Sequence, residues 1–324
     1  MQFDKKYLRQ NQFQALPLEL ALQIMGSILG YILAALVTPA GLSWTTPNHL
    51  WFIIGIQILR TAYVVLMSGR DSNHLVYKTA PKDPNWVFVG PEFHTLHHVY
   101  PDRYIGSFVK ILDWVCGTAY TFRGKRFAII GANGVFGQAM VSELEREGVK
   151  SIRKLKYGTD WDHDNFENVI PVLADSNILI LADGCKMQDS VESNCNSAVQ
   201  LVKLFKKCRA TYPAGPTLPE VWYVGNETEF YQPWGNVQQL SGVKGGFLPY
   251  ARLFTDDHNI LYRHIVLSTF HSFVVTADIS AHRAAKSAMW WIRRGATYVP
   301  VTYTGTACLN YLKFMFLIPY AQDV

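Results

Sequence analysis

With 324 residues the chain has room for about two domains. Its net charge of +5 is modest and contains no clustered basic tract, which argues against a nucleic-acid partner and leaves an anionic membrane surface compatible. The composition is rich in apolar residues (49%, with 14% aromatic), and the five scattered cysteines, odd in number and without a CxxC pair, speak against a disulfide framework and for a reducing compartment.

Two apolar runs open the chain. Leu16 to Val37 reads "LPLELALQIMGSILGYILAALV" and Leu50 to Met67 reads "LWFIIGIQILRTAYVVLM". Each is near the ~20 residues that an α-helix needs to cross a bilayer. The linker "TPAGLSWTTPNH" has no Lys or Arg, whereas Lys5, Lys6 and Arg9 precede the first run and Arg70, Lys78 and Lys82 follow the second. The positive-inside rule then predicts a multi-pass hairpin with both ends, and the domain that follows, in the cytoplasm. Glu19 and Arg60 interrupt the runs, and each is costly in hydrocarbon unless paired. An antiparallel hairpin puts both towards the cytoplasmic side, so they are expected to approach one another. The alternatives are two buried helices of a soluble bundle or a cleaved signal peptide.

Residues 68–122 form a polar and aromatic connector containing "PEFHTLHHVYPD". His94, His97 and His98 stand at i, i+3 and i+4, so on a helix they share one face and are a candidate metal set. The plainer reading is that these imidazoles bond to loop backbone.

At Lys125 the texture changes. "KRFAIIGANGVFGQAMVSELEREGVKSIRKLKYG" reads as a buried strand, a glycine turn, an amphipathic helix and a second strand. "NILILADG" (177–184), "EVWYVGNE" (220–227) and "NILYRHIVL" (259–267) read as further strands, separated by helical stretches near 163–174, 190–208, 241–254 and 277–294. This alternation predicts an α/β fold, a Rossmann-like doubly wound parallel sheet preceded by a two-helix transmembrane hairpin. The expected parts are 1–122 for the hairpin and connector, 123–300 for the sheet domain and 301–324 for an apolar tail. The tail segment Thr304 to Ile318 is too short to span and suits an interfacial helix or one docked on the hairpin.

Gly131, Gly134 and Gly137 form GxxGxxG between a strand and a helix. Dinucleotide binding needs a tight turn there, a surface without Cβ atoms for the pyrophosphate, and a helix N-terminus whose free N–H groups meet its charge. Asn133, Val135 and Phe136 complete the turn and the helix mouth, and Ala182 and Gly184 of "ADG" complete the edge after the third strand. Beyond the second strand Arg153, Lys154 and Lys156, with Asp160 following, favour the extra phosphate of NADP over NAD. About twenty residues separate the second strand from "NILIL", which predicts an abbreviated adenine side.

Two family likenesses follow from these residues. "HTLHH" with "DWVCGT" (Asp113 to Thr118) resembles the last histidine box and trailing segment of the sterol desaturase and fatty acid hydroxylase superfamily. The domain from Lys125 onward is similar to a short-chain dehydrogenase. "GTAYTFRGKRFAIIGANGVFG", "YRHIVLSTFHS" and "RRGATYVPVTYTG" resemble the bimodular group that fuses the two modules.

The hydroxylase likeness implies a non-haem di-iron site built from an HxxxH box and two HxxHH boxes. Only five of the ten histidines precede the nucleotide domain, and neither earlier box is present, which sets a working oxygenase aside. His94, His97 and His98, with His74, remain a set for a single metal, iron included. The dehydrogenase likeness implies an Asn–Ser–Tyr–Lys constellation, in which Tyr beside Lys moves a proton, Ser holds the carbonyl oxygen and Asn keeps a water in the relay. Asn194 falls on the Asn position and Lys244 on the Lys position. Leu240 stands where Tyr belongs and Asn226 where Ser belongs. The bland readings are a solvated helix lysine and a surface polar residue.

Two functions are therefore carried forward. One is a membrane-anchored NAD(P)-binding oxidoreductase acting on a lipid-like alcohol or carbonyl, with homo-oligomerisation left open. The other is a nucleotide-binding pseudoenzyme or scaffold at the membrane.

Overall fold

In the computed structural model the chain divides into two compact units, residues 1–79 with 90–95, and residues 80–89 with 96–324. The structure describes residues 11–37, 46–69, 75, 77–162, 165–182, 191–230, 246–267, 280–301 and 306–321.

The first unit is built on α1 (Leu16–Val37) and α2 (Pro47–Leu66). Pro47 takes the first turn of α2, where a missing N–H is harmless, and the Thr46 N–H donates to His49 Nδ1 at 3.1 Å. By length and composition both helices are able to cross a membrane. The core helix of a soluble bundle would be mostly covered, but Leu29, Leu33, Leu36, Trp51, Phe52 and Leu59 are exposed. The polar side chains face each other instead. Arg60 Nη1 donates to Glu19 Oε1 at 2.9 Å and Gln57 Nε2 to Ser27 Oγ at 2.8 Å, so the expected approach of Glu19 and Arg60 is found.

Further along lie α3 (Pro91–Val99) and α4 (Ile111–Cys116). The second unit then runs β1 (Arg126–Ile130), α5 (Val135–Glu145), β2 (Ser151–Leu155), α6 (Ile170–Asp175), β3 (Ile178–Leu181), α7 (Val191–Thr211), β4 (Glu220–Asn226), α8 (Leu248–Asp256), β5 (Leu261–Leu267), α9 (Ala281–Arg293), β6 (Tyr298–Val301) and α10 (Thr306–Phe316). All pairings in the six-stranded sheet are parallel, in the order β2-β1-β3-β4-β5-β6. This is the expected doubly wound sheet. Its central strands are mostly apolar because helices cover both faces. Phe127, Ile129, Ile178, Ile180 and Ile265 pack on one side with α5 and α9, while Ala128, Ile130, Leu179, Leu181 and Tyr262 pack on the other with α7, α8 and α10.

Against the expected parts the elements fall as follows. The residue-300 boundary cuts β6, a strand the pattern did not announce because Pro300 interrupts a run of only four residues. The apolar tail is part of the sheet domain: Phe314 of α10 is buried, stacked 5.3 Å from His264. The connector from residue 96 onward, with 80–89, also clusters with the sheet. Between β2 and β3 the described residues form only the short 3₁₀ turn Glu167–Val169 and the six-residue α6, and β2 is the edge strand.

Candidate functional site

After β1 the chain turns to β2 on one side, then crosses to β3 on the other. The carboxyl ends of β1 and β3 therefore part at the switch point where doubly wound folds bind ligands. The Ala182 N–H still donates to the Ile130 carbonyl at 2.9 Å, so the two strands stay paired up to the crevice.

Each glycine of the turn meets a separate need. Gly131 sits at φ +79°, in the left-handed region that L side chains rarely enter. At Gly137 a Cβ would lie 2.1 Å from the Gly131 carbonyl oxygen, so helix α5 packs on the turn only through a bare backbone. Gly134 has an ordinary φ of −69°, and a Cβ there would stand 3.3 Å from the same oxygen. It is the N-cap of α5 and contributes no side-chain cap, so the first N–H groups of the helix stay available for a phosphate. The Asn133 carbonyl accepts from Gln138 Nε2 at 2.9 Å. Val135 projects outward, whereas the Phe136 ring is in the core, which leaves Phe136 only its backbone for a ligand. This cradle fits a dinucleotide's diphosphate.

At the end of β2 the Lys156 N–H donates to Asp160 Oδ2 at 2.7 Å. The acidic side chain is thus engaged with backbone, and the exposed Lys156, with Arg153 and Lys154 on the strand, makes this margin cationic. Asn226 closes β4 at the same edge of the sheet, half-buried, and its N–H donates to Glu229 Oε1 at 2.8 Å. Lys244 and Gly184 lie outside the described residues, as does Leu240. Asn194 lies on α7, and its side chain is likewise outside what is described.

Sequence reasoning missed a buried polar group beneath Asn226. Tyr262 Oη and His264 Nδ1 are 2.8 Å apart, and His264 Nε2 faces Glu229 Oε2 at 3.5 Å. The rings of Tyr223, Phe230, Tyr298 and Phe314 enclose the imidazole. The available signal was the polar stretch Tyr262, Arg263 and His264 inside a strand whose other residues are apolar. These groups are sealed from solvent and support the end of β4.

The structure places His94, His97 and His98 on α3. The three do lie on one helix, but among the described residues no group of three His, Cys, Asp or Glu side chains is placed to hold a metal ion. His97 Nδ1 donates to the Arg103 carbonyl at 2.9 Å, and the neighbouring His97 and His98 rings are 5.8 Å apart and tilted by 58°. Asp113 of "DWVCGT" is also structural, since its buried carboxylate accepts the N–H groups of Ile105 (2.9 Å) and Gly106 (2.7 Å) and the Thr118 hydroxyl.

No family model matches the chain. Monoglucosyldiacylglycerol epimerase of Synechocystis sp. is 27% identical over 245 residues, covering 67% of this chain and 58% of that protein. The chain thus spans less than two thirds of that relative's length. Among solved structures, a Burkholderia cenocepacia short chain dehydrogenase in complex with NADP aligns at 14% identity over 61% of this chain and 95% of its own, with a TM-score of 0.48. A Burkholderia phymatum short chain dehydrogenase/reductase in complex with NAD aligns at 11% identity over 63% and 99%, with a TM-score of 0.44.

Proposed function

We propose that this chain is a membrane-anchored, NAD(P)-binding oxidoreductase of short-chain dehydrogenase type that acts on a carbinol or carbonyl group of a lipid-like substrate. One observation carries the reading: the switch-point turn has a left-handed Gly131, a Gly137 that no side chain can replace and an uncapped helix mouth at Gly134. A bound nicotinamide would supply the hydride acceptor and donor. The backbone amides from Gly134 to Gly137 would hold its diphosphate, and Lys156 would meet a ribose phosphate, which favours NADP. Asn226 would offer a hydrogen bond to the substrate oxygen, with Lys244 and Asn194 in the proton relay.

The substrate class rests on two supports. Helices α1 and α2 leave their apolar side chains outward and pair their charges with each other, as a bilayer hairpin requires. The Synechocystis relative is by name an epimerase of a glycolipid. Inversion of a sugar hydroxyl by oxidation and re-reduction needs the same hydride site as a dehydrogenase, with no net redox change.

Leu240 cannot move a proton, and this favours a second reading, a nucleotide-binding pseudoenzyme at the membrane. Detergent-purified protein titrated with NADPH and NADH tests the first step, and failure to bind either would remove both readings. Assays with glycolipids and long-chain alcohols on the wild type and Leu240→Tyr separate them. Turnover by the wild type, lost in Lys244→Ala, supports the enzyme. Activity gained only in Leu240→Tyr supports the pseudoenzyme.

A further inference from the structure

The amino-terminal edge of the sheet holds a second polar site, at the opposite end of the strands from the glycine turn. Lys125 immediately precedes β1, Glu220 opens β4 and Arg263 is the third residue of β5; all three side chains are buried. The connector closes over them with Tyr100, Tyr104 and Tyr120, leaving a cavity of ≈ 50 Å³. That is room for a few water molecules or one small oxyanion. Six positions separate Lys125 from Gly131, roughly 20 Å along a strand, so this is not the dinucleotide crevice.

The hydrogen bonding in the cavity is uneven. The Glu220 carboxylate accepts three hydrogen bonds: Oε1 from Arg263 Nε (2.5 Å) and Trp222 Nε1 (2.7 Å), and Oε2 from the Tyr120 hydroxyl (2.5 Å). Arg263 is further fixed by donating Nη1 to the Ala296 carbonyl. Lys125 is not served in this way. Its ammonium is 3.6 Å from Glu220 Oε2, beyond normal hydrogen-bond reach, and lies 3.9 Å from the centre of the Tyr120 ring. Two buried cations thus share one buried carboxylate, and the less tightly bonded of them, Lys125, lines the cavity. Lys82 and Asp83 on the cavity wall add one charge of each sign, with Lys82 donating to the Thr255 carbonyl and Asp83 paired with Lys110 at 2.5 Å. The lining carries a net positive charge.

A buried ammonium whose nearest carboxylate among the described residues stands 3.6 Å away, shared with Arg263, is under-served, and an anion in the adjoining space adds a direct acceptor. We propose that this cavity is a binding site for a small oxyanion, a phosphate, sulfate or carboxylate group seated on the Lys125 ammonium, with Tyr100 and Tyr104 in the lining. Burial, with Arg263 adding and Glu220 opposing, brings the Lys125 ammonium down to about 8, so it is still protonated at neutral pH and able to hold an anion. The inference stands on the sheet's amino edge alone and does not depend on nucleotide binding.

The test uses the full chain in detergent and reads Lys125 directly. Acylation with acetic anhydride near pH 8, followed by peptide mass spectrometry, measures the reactivity of Lys125 against exposed Lys154, with and without inorganic phosphate or acetate. Expected is a slowing of Lys125 by about tenfold under one of these anions while Lys154 is unchanged. Protection by phosphate alone assigns a tetrahedral anion, and protection by acetate alone assigns a carboxylate. Lys125 unaffected by both, or both lysines slowed equally, would overturn the proposal. Phosphate should also raise the melting temperature of the wild type but not of Lys125→Met. An undiminished rise in that variant would place the anion elsewhere and defeat the assignment.

Discussion

The Arg60 guanidinium donates to the Glu19 carboxylate at 2.9 Å and joins two helices whose other outward side chains are mostly apolar. In water such a half-exposed pair would contribute little. In hydrocarbon it decides whether both helices can be accommodated, because an unpaired charge at the centre of a spanning helix costs about 2.5–3.5 kcal/mol. Glu19→Ala and Arg60→Ala should each reduce the carbonate-resistant membrane fraction and lower the melting temperature in detergent. The reversal Glu19→Arg with Arg60→Glu should recover most of both losses. A double variant no better than the worse single one would show that the contact does not hold the hairpin.

The glycine turn separates packing from binding. Gly137→Ala drives a Cβ to within 2.1 Å of a backbone oxygen and should destabilise the domain by about 3 kcal/mol or more. Gly134→Ala meets the same oxygen at 3.3 Å with a permissive backbone, so its stability should change by under about 1 kcal/mol. Its methyl group would stand where a diphosphate rests, and NADPH affinity should fall about tenfold. Denaturation and nucleotide titration on the two variants check both halves. Equal effects on stability would refute the division of labour.

What could be read in the chain, and what could not, follows from how far each signal reaches. β1, β3, β4 and β5 were legible because strands covered on both faces are mostly apolar, and the turn was legible because its glycines are local. β6 was not, being four residues around a proline. The cluster of Lys125, Glu220 and Arg263 joins residues far apart in sequence; only the oddity of a charge inside each buried run hinted at it. "HTLHH" and "DWVCGT" were read as an inherited oxygenase segment. In the fold His97 and Asp113 bind loop backbone, a role short polar motifs take wherever irregular chain must be satisfied.

Cofactor choice should reside at the end of β2. Asp160 is held by the Lys156 N–H, while the Lys156 side chain is exposed. Lys156→Ala should weaken NADPH about tenfold and leave NADH within about twofold, because only the former brings a ribose phosphate. Fluorescence titration of both nucleotides checks this. An equal loss for the two would place Lys156 away from the ribose.

Glu220 is the single buried anion between two buried cations, so removing its charge should be severe. Burial alone would raise its carboxyl, but Arg263 and then Lys125 outweigh that and hold it below the usual carboxylate range. Glu220→Gln leaves two unneutralised cations and should destabilise the domain by about 3–5 kcal/mol. Adding Lys125→Met to Glu220→Gln should recover part of that loss, since one uncompensated charge goes with it. Chemical denaturation of the two variants measures it, and a strictly additive double variant would show that the groups do not interact.

The same cluster sets a pH dependence whose sign is unusual for a lysine. Lys125 falls to about 8 in the fold and returns to about 10.4 when unfolded, so between these values the unfolded chain binds more protons. Stability should therefore rise from about pH 8 towards pH 10, by up to about 3 kcal/mol, as the buried ammonium becomes neutral. Lys82 is also lowered, chiefly by burial, and adds in the same direction. Tyr104 and Tyr120 are raised well above their usual value by burial, and unfolding lets them ionise near pH 10, so the gain ends there and reverses. Below the window Lys125 is charged in both states and contributes no slope. Lys125→Met should flatten most of the rise while leaving the decline above about pH 10. Urea denaturation of both proteins across this range measures the effect. A wild-type curve that is level or falling between about pH 8 and 10 would mean that the Lys125 ammonium already has a partner that keeps it protonated. A bound oxyanion is such a partner, so repeating the series in inorganic phosphate should reduce the slope of the wild type and leave the variant unaffected.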